Sequence, residues 1–156
     1  MNGCINGMII SGYVYKFGNE IGSSGTVAST ESIKNAVTRF GKEFNHVPCL
    51  LGYSRDVPDR AVIGGYNMSD VLGYATLKVC DDGIYAFVKV IETLAGRIIL
   101  NMLDHEIKEQ FMFGFALYGE RIDTDANGST LVGNITIGYI TLAKDNIHYK
   151  IDKIER

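Results

Sequence analysis

Val71-Leu72-Gly73-Tyr74-Ala75-Thr76-Leu77-Lys78-Val79 and Ile84-Tyr85-Ala86-Phe87-Val88-Lys89-Val90-Ile91, separated by Cys80-Asp81-Asp82-Gly83, decide how this chain is read. Both runs are rich in the β-branched and aromatic residues that suit a pleated, half-buried surface. An Asp-Gly pair between two such runs is a strong hairpin signal, so the spacing predicts two antiparallel strands. On the N-terminal side, Met8 to Phe17 reads as a first strand, alternating from Tyr13 to Phe17 and followed by a Gly18-Asn19 turn. Gly22-Ser23-Ser24-Gly25 reads as a loop. Ile33, Ala36, Val37, Phe40 and Phe44 then recur at helical spacing behind a Ser29 or Thr30 cap, which predicts an amphipathic helix over about 31–44. Val47 to Leu51 is apolar again, and Tyr53 to Asp70 has no sustained period and reads as a long loop.

Beyond the hairpin, Thr93 is placed to cap a second helix carrying Leu94, Ile98, Ile99, Met102 and Leu103 and extending toward Ile107, with Arg97, Asn101 and Asp104 facing water. Phe111–Ile122 and Leu131–Leu142 read as two strands around Asp123 to Gly128, and Ile147–Ile151 as a short last one. Phe111, Phe113, Phe115 and Leu117 alternate with Met112, Gly114, Ala116 and Tyr118, so this strand is expected to be buried on both faces. The expectation is one domain over 1–156 of a mainly β, α+β class: an antiparallel β-barrel or sandwich with two packed amphipathic helices.

Composition agrees with that class. The 156 residues include 18 Gly, nine Tyr and seven Phe against only two Pro and no Trp, which suits short strands joined by Gly turns. With 46% hydrophobic residues and a mean hydropathy of +0.06 the chain can bury a core. Fifteen Lys and Arg against 18 Asp and Glu leave a charge of −3, of the wrong sign for a nucleic-acid footprint. No apolar run approaches the ~18–20 residues that span a bilayer, and the opening Met1-Asn2-Gly3-Cys4 has no secretory character, so a soluble protein of intracellular origin and no membrane partner is expected. The sequons at Asn67, Asn127 and Asn134 then carry no meaning. Cys4, Cys49 and Cys80 are odd in number and scattered, which suggests neither a disulfide framework nor a zinc site.

Candidate chemistry is sparse. Asp123-x-Asp125-x-Asn127-Gly128 supplies the first half of a calcium loop, but the twelfth position is Asn134 where a bidentate Glu is expected. The same residue types build hairpin turns, so Asp123, Asp125 and Asn127 are weak metal candidates and a turn without an ion is expected. Gly22 to Thr26 lacks the Lys of a phosphate loop and reads as a surface loop. His46, His105 and His148 have no recognisable nucleophile partner in sequence, and no cofactor motif is present.

In the order of its segments the chain resembles the prohead (capsid maturation) proteases of tailed phages, relatives of the herpesvirus assembly protease, over about Ile9 to Asn146. Ser11 to Gly18 is similar to that family's opening strand and turn, and Val47-Pro48-Cys49-Leu50-Leu51-Gly52-Tyr53 to its histidine-bearing segment. Leu72-Gly73-Tyr74-Ala75 and Asp81 to Ala86 resemble its hairpin, and Thr93 to Leu103 the helix that follows. Met112-Phe113-Gly114-Phe115 resembles its serine-bearing strand, and Ile140-Thr141-Leu142 its late strand. The resemblance places Tyr53 where the family has its histidine base, Met112 at its nucleophilic serine and Tyr139 at its glutamate. Met has no attacking oxygen, and Tyr with a pKa of about 10 is a poor base at neutral pH.

The resemblance therefore implies a catalytically degenerate member: a virion component of the phage head, made in the host cytoplasm, binding the major capsid protein or scaffold as an auxiliary or decoration protein. Self-association is a further expectation. The alternative is an active maturation serine protease cleaving scaffold and capsid precursors through other residues; Ser54 restores a hydroxyl beside Tyr53 but brings no visible base. A third reading is a transient head-assembly factor.

Overall fold

The computed structural model describes residues 7–19, 26–43, 46–52, 67–124, 128, 130–144 and 149–156. Along these run strand β1 (Ile9–Lys16), β2 (Thr26–Ala28), helix α1 (Thr30–Glu43), β3 (Val47–Leu51), a 3-10 turn (Met68–Asp70), β4 (Val71–Val79) and β5 (Gly83–Val90). Helices α2 (Leu94–Leu100) and α3 (Asp104–Gln110) follow, and then β6 (Met112–Thr124), β7 (Thr130–Ala143) and β8 (Lys153–Glu155).

The hairpin forms as its sequence predicts. β4 and β5 pair from Val79 opposite Ile84 to Gly73 opposite Val90, and the Cys80 amide donates to Gly83 O at 2.8 Å across the turn. Gly83 is needed for a different reason from the one the Asp-Gly pair suggests. Its φ is not positive, but a Cβ there would lie 2.2 Å from Tyr15 O, because β1 crosses it at a bulge where Lys16 faces Gly83. The glycine serves the third strand rather than the turn.

The class is α+β and mainly strand, as expected, but the sheet is mixed and not closed. Its order is β2-β7-β3-β4-β5-β1-β8, with β6 on the other side of β7. β7 is long enough to hold two parallel neighbours in tandem on one edge, β2 beside Thr130–Val132 and β3 beside Ile140–Leu142. The expected all-antiparallel barrel fails at these two places. The cause is the crossover through α1, which brings β2 and β3 onto β7 in the same direction. The two ends of the sheet come together only at an isolated bridge between Met112 and Lys150, supported by the Phe113 amide donating to Tyr149 O at 2.9 Å. β2 has no counterpart in the sequence reading. Ile147 and His148 of the expected last strand lie outside the described residues; Tyr149–Ile151 show that bridge, and β8 lies further on and pairs with β1.

α1 turns Ile33, Ala36 and Val37 onto the sheet, and Ser29 Oγ caps it by accepting from the Ser32 amide at 3.1 Å. The second expected helix is two helices. Thr93 caps α2, accepting from the Gly96 amide at 3.0 Å and donating to Val71 O, but α2 ends before Asn101 and the backbone extends at Leu103 before α3 begins. The break is stabilised by groups remote in sequence. Arg156 donates to Met102 O at 2.6 Å and to Asp104 Oδ1 at 2.9 Å, and Glu106 accepts from the Leu103 amide at 2.9 Å. Because the axis changes at Leu103, the apolar stripe does not all face inward. Ile99 and Ile107 are buried, whereas Leu94, Ile98 and Leu103 are exposed.

The main core gathers Ile10, Val14, Ile33, Val47, Leu72, Val88, Ile99, Phe113, Phe115, Ile140 and Leu142 on one face of the sheet. A second, smaller cluster of Leu50, Val71, Ala116 and Tyr139 lies apart from it. β6 contributes to both, Phe113, Phe115 and Leu117 to the first and Ala116 to the second, which is the two-sided burial its sequence predicts.

Candidate functional site

The segments singled out by the resemblance converge on β7. On one side β6 places Met112 opposite Ala143, Gly114 opposite Thr141 and Ala116 opposite Tyr139. On the other side β3 places Leu50 opposite Thr141 and Leu51 opposite Leu142. The chain leaves β3 through Gly52, whose φ is +83 and whose amide donates to Leu142 O at 2.9 Å. Phe113 also pairs with Leu142. The end of β3 and the start of β6 are thus held at one level of β7, a single strand apart. Tyr53 is the next residue after Gly52 and lies outside the described residues.

Met112 is half-buried. Tyr139 shares its face of the β6–β7 pair but stands four ladder positions away, about 13 Å at ~3.3 Å per residue. Its side chain is 1% exposed in the second cluster, with Leu50, Val71 and Ala116 around it and Tyr74 and Ile91 at the margin. The structure therefore brings the Gly52 end of β3 toward Met112 and holds Tyr139 elsewhere, buried in the second cluster. Between them Thr141 is fully buried. His46 is exposed just before β3, at the end of that strand remote from Gly52, and His105 is exposed on the first turn of α3. Neither imidazole is hydrogen-bonded to a hydroxyl among the described residues. His148 and Ser54 lie outside them.

Asp123 closes the β6–β7 ladder opposite Leu131; Asp125 and Asn127 lie outside the described residues. Asn134, the twelfth position of the half-motif, sits in β7 at φ +50 and donates from Nδ2 to Glu120 Oε2 at 3.0 Å. That bond ties it across the ladder rather than toward the loop. Among the described residues no three His, Cys, Asp or Glu side chains are grouped to hold a metal ion. The surface loop read at Gly22 to Gly25 also lies outside the described residues. Cys49 is buried in the main core, and burial raises its thiol pKa far above the ordinary value, which leaves it inert as a nucleophile. Among the described residues no helix is long and apolar enough to cross a membrane.

Three further perturbed titratable groups, Tyr13, Asp82 and Tyr85, sit on the outer face of β1 and the hairpin. Asp82 accepts from Lys16 Nζ at 2.8 Å and from the Tyr13 hydroxyl at 2.6 Å, and these bonds hold its carboxyl below the usual range. The Tyr13 phenol is pushed up to about 12, chiefly by the same bond to Asp82. Tyr85 donates to Asp152 Oδ2 at 2.6 Å and is raised as well, first by burial and then by that bond. Tyr13 and Tyr85 meet edge to face at 5.1 Å, and Phe87 stands 5.1 Å beyond Tyr85. This aromatic row leads into an open groove of about 780 Å³ whose lining includes Tyr74, Phe87, Lys89 and Ile91. Sequence reasoning missed this surface. Its signal was present in β5, where Tyr85, Phe87 and Lys89 alternate with the buried Ile84, Ala86, Val88 and Val90. The outward set of an exposed hairpin is expected to be polar, and two of these three are aromatic.

No family model matches the chain, and no characterised protein matches it in sequence. In fold it is similar to the bacteriophage T4 capsid assembly protease gp21, with a TM-score of 0.60 over 88% of this chain and 81% of that one, at 16% sequence identity. The α+β architecture is prohead-protease-like.

Proposed function

We propose that this chain is a non-catalytic component of a tailed-phage particle, a prohead-protease-like module that binds the major capsid protein as an auxiliary or decoration protein. The observation that carries the reading is Met112. The resemblance assigns it the position of the family's nucleophilic serine, where a thioether can neither attack a carbonyl nor give up a proton, and in the fold it lies at the level of β7 where the end of β3 arrives. Tyr139, at the position of the family's glutamate, is packed among Leu50, Val71 and Ala116 and so cannot orient an imidazole beside Met112. A fold that keeps its framework while its site loses function is best employed through its surface, because function resides in sites rather than in folds.

The second reading, an active maturation protease, is favoured by the fold neighbour's being a capsid assembly protease. The two separate cleanly in one experiment. Purified chain is incubated with empty heads and, in parallel, with precursor shells containing scaffold. Saturable binding with the shell proteins intact supports the proposal; scaffold cleavage that a single Ser or His substitution abolishes would replace it with the protease. Quantitative mass spectrometry of mature particles completes the test. Copies in lattice proportion support an auxiliary capsid protein, and loss of the chain from mature particles would assign it instead to transient head assembly.

A further inference from the structure

The outer face of the β1–β5–β4 sheet is wrong for a surface that only meets water. Its cross-strand rows read Tyr13, Tyr85 and Lys78; Ser11, Phe87 and Thr76; and Ile9, Lys89 and Tyr74. Phe87, in the middle strand, is 41% exposed, and Met68, whose sulfur lies 3.9 Å from the Tyr74 hydroxyl, is 55% exposed. Tyr, Phe and Met are the residues enriched at the centres of protein interfaces. The groove between them is open along one side, so it cannot enclose most of a small molecule as ligand pockets do. It spans three hydrogen-bonded strands, about 10 Å from β1 to β4, a width that an extended chain segment can cross.

Charge narrows the occupant. Of the charged side chains on this face, Asp82 is taken up by Lys16 at 2.8 Å. Lys89 and Lys78 remain exposed, and no ion pair engages either of them among the described residues. Lys89 lines the groove beside Phe87, and His46 lies at its rim. Asp152, which accepts from Tyr85, lies at the other end of the aromatic row, so the groove itself is cationic on a molecule whose net charge is −3. A second copy docked on it by two-fold symmetry would set Lys89 and Lys78 against their own counterparts, a like-charge arrangement that costs affinity.

We propose that this groove binds an extended peptide segment of a partner protein, carrying an apolar side chain against Phe87 and Tyr74 with a neighbouring carboxylate on Lys89. The inference rests on the reading of the chain as a partner-binding module, but it concerns side chains of β1, β4 and β5 rather than the start of β6 where Met112 lies, and it holds whether or not that region is catalytic.

The test uses the full chain and the synthetic peptide acetyl-Leu-Glu-Phe-Glu-Leu-amide, with the two Glu replaced by Lys in a control. Amide chemical shifts are expected to move saturably in β4 and β5 for the Glu peptide, with binding at least about tenfold weaker for the Lys peptide. F87A is expected to abolish binding. K89E is expected to invert the preference toward the Lys peptide, a gain that loss of folding cannot imitate. Equal affinity for both peptides, shifts confined to other surfaces, or no inversion in K89E would overturn the proposal. So would sedimentation showing a dimer that F87A dissolves, since the second copy would then be the occupant. Shell binding separates this inference from the functional reading: wild-type and F87A chains binding heads equally would remove the groove and leave the auxiliary role standing.

Discussion

Met112 faces Ala143 on the β6–β7 ladder and is bridged on its other edge to Lys150, so its backbone is engaged by neighbouring chain on both sides. Met112 thus sits at the point where the two ends of the open sheet meet. Substituting it alters local packing as well as chemistry.

Restoring the hydroxyl alone should not restore reactivity. In M112S no described imidazole is hydrogen-bonded to a hydroxyl, and a serine without an oriented base is a weak nucleophile. Incubation with a fluorophosphonate probe is expected to label the variant no more than the wild type. Labelling of the introduced hydroxyl above background would place a base within reach and revive the protease reading.

Gly83 should tolerate no side chain. A Cβ there would lie 2.2 Å from Tyr15 O and 3.1 Å from Lys16 Cα, both backbone atoms of β1, so the strands must separate. Overpacking of this kind costs about 1–3 kcal/mol, and at ~2–4 °C per kcal/mol for a chain of this size G83A is expected to melt several degrees lower. An unchanged melting temperature would mean that β1 is not seated at the bulge.

Alkaline pH should destabilise the β1 face before any general unfolding. Tyr15 is buried, and burial raises its phenol to about 12; Tyr13 reaches about 12 through Asp82. Both folded values lie above the ordinary value of 10.0, so the neutral phenols favour the folded state. That contribution is full below about pH 10 and is lost as pH rises through about 12. Phenolate absorbance near 295 nm is expected to show three tyrosines, Tyr13, Tyr15 and Tyr85, titrating late in native protein and normally in urea. Y13F should remove one of the late transitions. Titration of all nine tyrosines near 10 in the native chain would contradict the packing.

Calcium should leave the melting temperature unchanged. Asn134 at the twelfth position donates to Glu120 at 3.0 Å instead of supplying a bidentate carboxylate to the Asp123 to Gly128 segment. A site whose Kd were a hundredth of the added calcium would stabilise the fold by about 2.7 kcal/mol, a shift easily seen by calorimetry. An upward shift that D123N abolishes would establish the metal site.

Local pattern carried a large part of this fold. The β4–β5 hairpin, the capped α1, strand β1 and the two-sided burial of β6 all follow from periodicity and cap chemistry within about 20 residues, because side-chain alternation and capping are local properties even where the pairing, as of β1 with β5, is not. The resemblance was legible in the same way: it lay in the order of segments such as Ser11 to Gly18 and Met112 to Phe115, not in any one motif.

Tertiary structure decided the rest. The parallel seats of β2 and β3 on β7 depend on where α1 docks, the break at Leu103 on Arg156 reaching back across more than 50 positions, and the need for glycine at position 83 on the path of β1. The separation of Met112 from Tyr139 is a matter of ladder register, and the Phe87 groove depends on which face of the sheet the helices leave open. Alternation along a strand tells which residues share a face. Which face is covered is settled only when distant elements pack, since the free energy of burial belongs to the pair of surfaces and not to either sequence alone.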